Sequence, residues 1–132
     1  MEKVKLMIDL HLSNAKTIES VAKLLKSPPE TLRKKFLRME KVHLHDYILE
    51  RKVKAMKEML LISDLPCYTV CFNVGLREDT GAKLFKKISG NTMQEFREKY
   101  KLNYILLKND PTRQRRLNRL LTKAFADHTE NR

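Results

Sequence analysis

Two stretches of the chain match each other without a gap at an offset of 49 residues, as expected for an internal duplication. The earlier stretch runs from Ser20 to Ile48 and the later one from Thr69 to Arg97. The equivalent positions carry similar side chains: Ser20 and Thr69, Val21 and Val70, Leu25 and Val74, Thr31 and Thr80, Lys34 and Lys83, Phe36 and Phe85, Leu44 and Met93, Asp46 and Glu95, and Tyr47 and Phe96. Each stretch joins a short apolar helix through a turn to a second helix that carries cations. The sequence therefore predicts two helix–turn–helix units.

The composition favours an all-α protein with a polyanionic partner. The 132 residues suffice for one compact domain, and they include only three glycines and no tryptophan. Leu, Lys, Glu and Met are frequent, and these residues favour helices over strands. Lys and Arg number 28 against 16 Asp and Glu, so the formal net charge is +12. Nucleic acid is the first candidate partner of such a chain, and an anionic membrane surface is the second.

Apolar spacing, N-cap residues and helix breakers predict the order of the helices. No Gly or Pro interrupts residues 44–62, so a continuous linker helix between the two units is expected there. Its predicted buried stripe consists of Tyr47, Ile48, Val53, Met56, Met59 and Leu60. The other predicted helices are Glu2 to about Leu12, which covers the first unit, Thr17 to about Ser27, Glu30 to Met39, Asp64 to Gly75, Asp79 to Ile88, and a last short helix from Thr92 to Tyr100.

Residues after Tyr100 have no counterpart in the duplication, and they predict an extra amphipathic helix at the carboxy terminus. Its apolar stripe consists of Leu117, Leu120, Leu121, Ala124 and Phe125. Its basic residues are Arg113, Arg115, Arg116 and Arg119. Such a helix could pack on the rest of the chain, pair with a second copy, or lie on a membrane. Packing within the chain is the default expectation, and a homodimer through this helix is the main alternative.

No arrangement of residues indicates catalysis, a cofactor or a metal ion. Cys67 and Cys71 lie on one face of a helix without neighbouring ligands, so two small buried side chains are expected. His43 and His45 have no nucleophile or paired carboxylates nearby, which argues against an enzyme. The segment MEKVKLMIDLHLS is too charged for a signal peptide or a membrane span. We therefore expect a cytoplasmic, nucleoid-associated protein that does not bind a membrane.

Three groups of segments also carry a resemblance to a known family. They are SPPETL ahead of Phe36, YILERKVKAMKEMLLISDL in the linker, and VCFNVGL followed by LFKKISGNTMQEFR in the second unit. In these segments the chain resembles the DNA-binding domain of the AraC/XylS family of bacterial transcription regulators, in which a long helix joins two helix–turn–helix units. The resemblance implies a DNA-binding domain over residues 1–103, with a first unit at about 14–45, a linker helix at about 44–63 and a second unit at about 64–100, followed by a basic extension at 104–132.

The resemblance further implies which side chains approach DNA. In the family, the second helix of each unit enters the major groove of double-stranded DNA, on successive grooves. The base-reading residues would be Glu30, Thr31, Arg33, Lys34, Asp79, Thr80 and Lys83, and the phosphate-binding residues would be Lys35, Arg38, Lys86 and Lys87. Arg33 or Lys34 could bond O6 and N7 of guanine, which is the commonest specific contact.

Several positions depart from the family pattern. Lys26 and Lys41 stand where turn glycines are common, and each costs about 1 kcal/mol if its φ must be positive. Gly81 stands where a large side chain usually anchors the second reading helix, in a unit that is one residue shorter than usual. Glu78 and Asp79 place carboxylates at the amino end of that helix. We therefore expect the first unit to read sequence and the second to be weaker or altered.

The sequence is compatible with two functions. The first is a sequence-specific transcription regulator that binds double-stranded DNA. The second is a protein-interaction module that keeps the fold, has lost specific DNA reading in its second unit, and binds RNA polymerase or another regulator.

Overall fold

The computed structural model describes residues 1–126, and within this range the chain forms eight α-helices and one short 3-10 helix. The helices are α1 (Glu2–Leu10), α2 (Thr17–Leu24), α3 (Pro29–Glu40), α4 (Leu44–Ile62), α5 (Cys67–Asn73), α6 (Glu78–Ser89), α7 (Met93–Lys108), the 3-10 helix (Pro111–Arg113) and α8 (Gln114–Phe125). The described residues contain no strand. The predicted all-α class is confirmed, with two helix–turn–helix units, α2–α3 and α5–α6, joined by α4 and followed by an extra C-terminal helix.

The duplication is preserved in the backbone. α3 and α6 both have 12 residues, and they start 49 positions apart. In the turns of the two units, Lys26 and Gly75 have φ values of 54° and 72°. After α3 and α6, Lys41 and Gly90 have φ values of 65° and 82°. The left-handed conformation is therefore a requirement of each turn, and the first unit meets it with lysines.

Two hydrophobic cores lie along α4. The first half of α4 closes a core with α1, α2 and α3, whose buried residues are Ile8, Ile18, Val21, Ala22, Leu32, Phe36, Leu44 and Ile48. The second half contributes to a core with α5 to α8, whose buried residues are Val53, Met56, Leu60, Leu61, Val70, Cys71, Val74, Phe85, Ile88, Met93, Phe96, Tyr100 and Ala124. In the predicted stripe of α4, four residues are buried and the other two, Tyr47 and Met59, pack against the cores.

α1 covers the first unit, as the sequence predicts. Ile8 is buried in the first core, so the apolar face of α1 is used there. On α4, Arg51 donates two hydrogen bonds of 2.9 Å to the carboxylate of Asp9. The ammonium group of Lys5 lies 2.6 Å from the carboxylate of Glu40, at the end of α3. These ion pairs tie α1 to both α3 and α4.

α7 is longer than the sequence predicts. The expected helix ends at Tyr100, whereas α7 continues to Lys108. No Gly or Pro lies between Met93 and Asn109 to end it, and Tyr104 packs against the second core. The additional turns are therefore helical because they have an apolar surface to cover.

α8 packs against α7 and α4, so its apolar face is used within the chain. Leu117 and Ala124 are buried. The ammonium group of Lys57 lies 5.9 Å from the ring centroid of Phe96 and 5.7 Å from that of Phe125, a cation–π arrangement that joins α4, α7 and α8. The default expectation of packing within the chain is confirmed, and a homodimer through this helix stays a prediction.

The predicted boundary between residues 103 and 104 falls inside α7. Residues 127–132 of the predicted extension lie outside the described residues. The functional division of the chain at this boundary stays a prediction. Within residues 1–126, no helix is long and apolar enough to cross a membrane.

Candidate nucleic-acid interface

α3 presents a cationic outer face because its two buried apolar side chains are on the opposite side, although Leu37 and Met39 are exposed. Leu32 and Phe36 are buried, and the ring of Phe36 lies 5.2 Å from that of Tyr47 on α4, measured between centroids. These contacts fix the rotation of α3 about its own axis. The predicted contact residues that this rotation leaves exposed are Glu30, Thr31, Lys34, Lys35 and Arg38.

Arg33 differs from its neighbours on α3 because it is half-buried and ion-paired. Its Nη1 atom lies 2.7 Å from Oε1 of Glu30, and its Nη2 atom lies 3.8 Å from Oε1 of Glu19 on α2. The guanidinium group is therefore held by one carboxylate of its own helix and one of α2. To bond a base it must exchange these carboxylates for the base edge.

α6 repeats the arrangement of α3. Phe85 and Ile88 are buried, and the ring of Phe85 meets that of Phe96 edge to face, with centroids 5.5 Å apart. The predicted contact residues on α6 are all exposed: Asp79, Thr80, Lys83, Lys86 and Lys87. Lys34 and Lys83, which are equivalent in the duplication, therefore occupy equivalent exposed positions on the two helices.

The carboxylate of Asp79 is engaged at the amino end of α6. Its Oδ1 atom accepts a hydrogen bond of 2.9 Å from the backbone N–H of Thr80. The same atom lies 3.5 Å from Nε of Arg77, the residue before the helix. Negative charge is favourable at this end of a helix, and Arg77 offsets part of its repulsion toward phosphate.

Gly81 is buried in α6 and is closely covered by Cys71 of α5. A Cβ atom at Gly81 would lie 2.5 Å from Sγ of Cys71. The equivalent pair in the first unit is Leu32 on α3 and Ala22 on α2, and both are buried. The large side chain missing from α6 is therefore replaced by a larger side chain on the helix that faces it. α6 keeps the same length as α3, and the expectation that the second unit is weaker or altered in reading DNA stays a prediction.

The junction between α6 and α7 is fixed by a capping box. Thr92 Oγ1 accepts a hydrogen bond of 3.1 Å from the backbone N–H of Glu95, and the Glu95 carboxylate accepts one of 2.8 Å from the backbone N–H of Thr92. The bond from the Thr92 backbone is the main reason why the pKa of Glu95 lies below its ordinary value. Together with Gly90 in the left-handed conformation, this box sets the direction in which the chain leaves α6.

A groove between the two units brings together some of the predicted residues. Arg33 and Thr80 line it, together with Leu84 of α6 and His45 of α4. The exposed lysines Lys34 and Lys83 do not line this groove. The predicted base-reading residues therefore fall into two sets, one facing the groove between the units and one facing outward from the two helices.

Both cysteines are associated with the second hydrophobic core. Cys71 is buried, and its Sγ atom lies 3.8 Å from Sδ of Met93. Burial raises the pKa of the Cys71 thiol, so the protonated form is favoured. Cys67 is half-buried and packs against the second core. Within residues 1–126, no group of three His, Cys, Asp or Glu side chains is arranged to hold a metal ion.

Lys52, which lies between the units, is not among the residues predicted from the sequence. Lys52 is 3% exposed and lies on the buried side of α4. The signal was its spacing, because Ile48, Lys52, Met56 and Leu60 follow one another at intervals of four residues. A lysine in the middle of such a stripe indicates a buried ammonium group that needs specific acceptors.

Several solved structures are similar to this fold. The C-terminal domain of AraT, a response regulator from Geobacillus stearothermophilus, is 23% identical with a TM-score of 0.69, and the match covers 74% of this chain and 83% of that chain. The C-terminal domain of the two-component response regulator yesN from Fusobacterium nucleatum is 21% identical with a TM-score of 0.68, covering 73% and 95%. The DNA-binding domain of AdpA, the global transcriptional factor, in complex with a target DNA, is 16% identical with a TM-score of 0.69, covering 77% and 93%.

These similarities establish the double helix–turn–helix fold. No protein-family model matches the sequence, and no curated protein matches it significantly. The fold implied by the resemblance to AraC/XylS DNA-binding domains is confirmed by these structural matches.

Proposed function

We propose that this chain is a sequence-specific regulator of the AraC/XylS type, which binds double-stranded DNA by placing α3 and α6 in successive major grooves. One observation carries the proposal: the same exposed cationic helix face occurs twice, with Lys34 and Lys83 at equivalent positions. The fold is shared with a domain solved with its target DNA, and the net charge of +12 suits a polyanion. A nucleoid-associated location would follow from such binding.

The exposed side chains divide into two roles. Lys34 and Lys83 are exposed on the outer faces of the two helices, where they would reach base edges, as would Thr31. Thr80 is exposed at the groove between the units and would reach a base edge from there. One turn further along, Arg38 and Lys87 would bind phosphate, as would Lys35 and Lys86 on the flanks. The two carboxylates near the helix starts, Glu30 and Asp79, would accept from cytosine N4 once they leave Arg33 and Arg77.

Selection of bound sites from random duplex DNA, followed by footprinting, tests the proposal. We expect two protected major-groove segments about one helical turn apart. Binding should also weaken steeply as the salt concentration rises. A single protected groove would mean that only one unit reads DNA, and absent or salt-insensitive binding would exclude the proposed function.

Substitutions separate the two roles. Lys34→Ala or Arg33→Ala should cost about 1–3 kcal/mol of binding free energy and relax the preference at one base position. Lys87→Ala should weaken binding to all sequences equally. It should also reduce, by about 1, the slope of the logarithm of the binding constant against the logarithm of the salt concentration. The matched control is Lys54→Ala, because Lys54 is an exposed lysine on the outer side of the linker helix α4. Its binding should equal that of the wild type.

A protein-interaction module is the second candidate, and two exposed aromatic side chains favour it. Tyr68 and Phe72 lie one turn apart on α5 and are 60% and 77% exposed. The partner would be RNA polymerase or another regulator. A pull-down of RNA polymerase that survives Lys34→Ala with Lys83→Ala, and is lost with Phe72→Ala, would favour this candidate over DNA reading.

A further inference from the structure

Lys52 is a buried cation at the midpoint of α4. Burial lowers its pKa to about 8, so at neutral pH its side chain is still an ammonium group with three N–H donors. A buried ammonium group is unfavourable unless each donor finds an acceptor. The surroundings of Lys52 must therefore supply three acceptors.

Three backbone carbonyl oxygens supply them, and they come from both units. Nζ of Lys52 lies 2.8 Å from the carbonyl oxygen of Leu12 and 3.0 Å from that of Asn14, in the connection between α1 and α2. It lies 2.5 Å from the carbonyl oxygen of Val74, where α5 ends and the turn of the second unit begins. A single ammonium group thus bonds to backbone of both units.

The backbones of the two units are also in contact beside this ammonium group. A Cβ atom at Gly75 would lie 2.6 Å from the carbonyl carbon of Asn14 and 2.8 Å from the nitrogen of Ala15. Gly75 also has a φ of 72°, which other residues rarely adopt. The left-handed turn favours a glycine here, although Lys26 adopts the equivalent conformation in the first unit. The close contact with the backbone of Asn14 leaves no room for a side chain, so it is this contact that requires a glycine.

Among residues 1–126, the two hydrophobic cores have no residue in common. We propose that Lys52 and Gly75 form an inter-unit lock that sets the orientation of α6 relative to α3. Through that orientation, the lock sets the spacing of half-sites that the chain accepts. The orientation is independent of the proposed function, whereas the spacing rests on it.

Residual dipolar couplings of the free, full-length chain test the orientation. In the wild type, the couplings of α3 and α6 should fit one common alignment tensor. Lys52→Met keeps the buried stem and removes the ammonium group, and its couplings should require two different tensors. Lys54→Met, an exposed neighbour on the same helix, is the matched control and should behave as the wild type.

Gly75→Ala tests the same lock with the ammonium group intact. Its methyl group would meet the backbone of Asn14, so the units should separate and again require two tensors. If Lys52→Met does not fold, Gly75→Ala decides the question. A folded variant whose two units keep the wild-type orientation, fitted by one tensor, would overturn the proposal.

The accepted spacing is measured with the duplex obtained by selection and with the same duplex lengthened between its half-sites by roughly half a helical turn. The wild type should bind the lengthened duplex about tenfold or more weakly than the original one, because its two units can no longer bind at the same time. Lys52→Met should bind the original duplex more weakly and lose less than about threefold on lengthening. An equal loss in both proteins would overturn the role in spacing. Absence of binding by the wild type would instead refute the proposed function, and the dipolar couplings would still test the lock.

Discussion

The Sγ atom of Cys71 occupies the space that a side chain at Gly81 would need. It lies 2.5 Å from the position that a Cβ atom of residue 81 would take. In the first unit, the equivalent residues are Ala22 and Leu32, so the small side chain lies on the first helix and the large one on the second. The two units thus fill the same helix–helix contact in opposite ways. In each unit, the larger side chain fits only because the residue opposite it is small.

We expect Gly81→Leu to destabilise the protein by about 3 kcal/mol or more, because the leucine would overlap the Cys71 side chain. Adding Cys71→Ala recreates the pair of the first unit and should restore most of the loss, with a coupling energy of about 1–3 kcal/mol. A double-mutant cycle measures the coupling energy, from urea unfolding of the wild type, both single variants and the double variant. Additive effects would show that the two residues do not share the space.

The two lysines with positive φ are sites at which the protein can be stabilised. Lys26→Gly and Lys41→Gly should each raise the free energy of unfolding by about 0.5–1 kcal/mol, since the left-handed strain removed exceeds the entropy that glycine adds to the unfolded chain. Lys35→Gly, on the exposed face within α3, is the control and should lower it by about 1 kcal/mol. Thermal unfolding measures all three. A loss of stability at Lys26 and Lys41 would contradict the positive φ values.

The helices of the two units could be predicted from the sequence because their signals are local. Pro29 marks the start of one reading helix and Gly90 the end of the other, and the constant offset transfers each boundary to the second copy. The outward direction of the cations follows from Phe36 and Phe85, which face the cores. The exposed positions of Lys34 and Lys83 are therefore consequences of a short-range pattern.

The features that could not be predicted depend on residues far apart in the chain. The partners of Lys52 are carbonyl groups 22 to 40 positions away, and no pattern of side chains encodes a carbonyl direction. The ion pairs of Arg33 reach Glu19 on another helix, so a pattern within α3 leaves its direction open. The length of α7 depends on its packing against α8, and this packing forms only in the tertiary structure.

The capping box at Thr92 should contribute stability in a pH-dependent way. Thr92→Ala should cost about 1 kcal/mol at neutral pH through loss of the cap. It should also raise the pKa of Glu95 part of the way toward its ordinary value, because the hydrogen bond from the Thr92 hydroxyl is lost while the larger contribution, from the backbone N–H of residue 92, remains. A depressed carboxyl pKa stabilises the fold above the ordinary value, and this contribution is lost as the pH falls through the folded-state pKa.

The difference in stability between the wild type and Thr92→Ala should therefore narrow as the solution is acidified from neutral pH to below the pKa of Glu95. NMR titration of the Glu95 side chain and urea unfolding at both pH values check this. Gln94→Ala, at the exposed neighbouring position, should leave the Glu95 titration unchanged. An unchanged Glu95 pKa in Thr92→Ala would contradict the contribution of the Thr92 hydroxyl to that pKa.

α8 should behave as part of the folded body. Leu117→Ala should lower the free energy of unfolding by about 2–3 kcal/mol, because the leucine is buried. Arg116→Ala, its exposed neighbour on the same helix, should change stability by less than about 0.5 kcal/mol. Denaturant unfolding of both variants makes the comparison. If the two variants were equally stable, α8 would not be packed in solution as described.

The duplication has not produced two separable modules. The first turns of α4 form one wall of the first core, and its last turns form one wall of the second. A cut on either side of α4 leaves one fragment with an open apolar surface. Recombination between related chains is therefore constrained: half of such a protein can be exchanged only together with its connecting helix, and that helix must match the half that it joins.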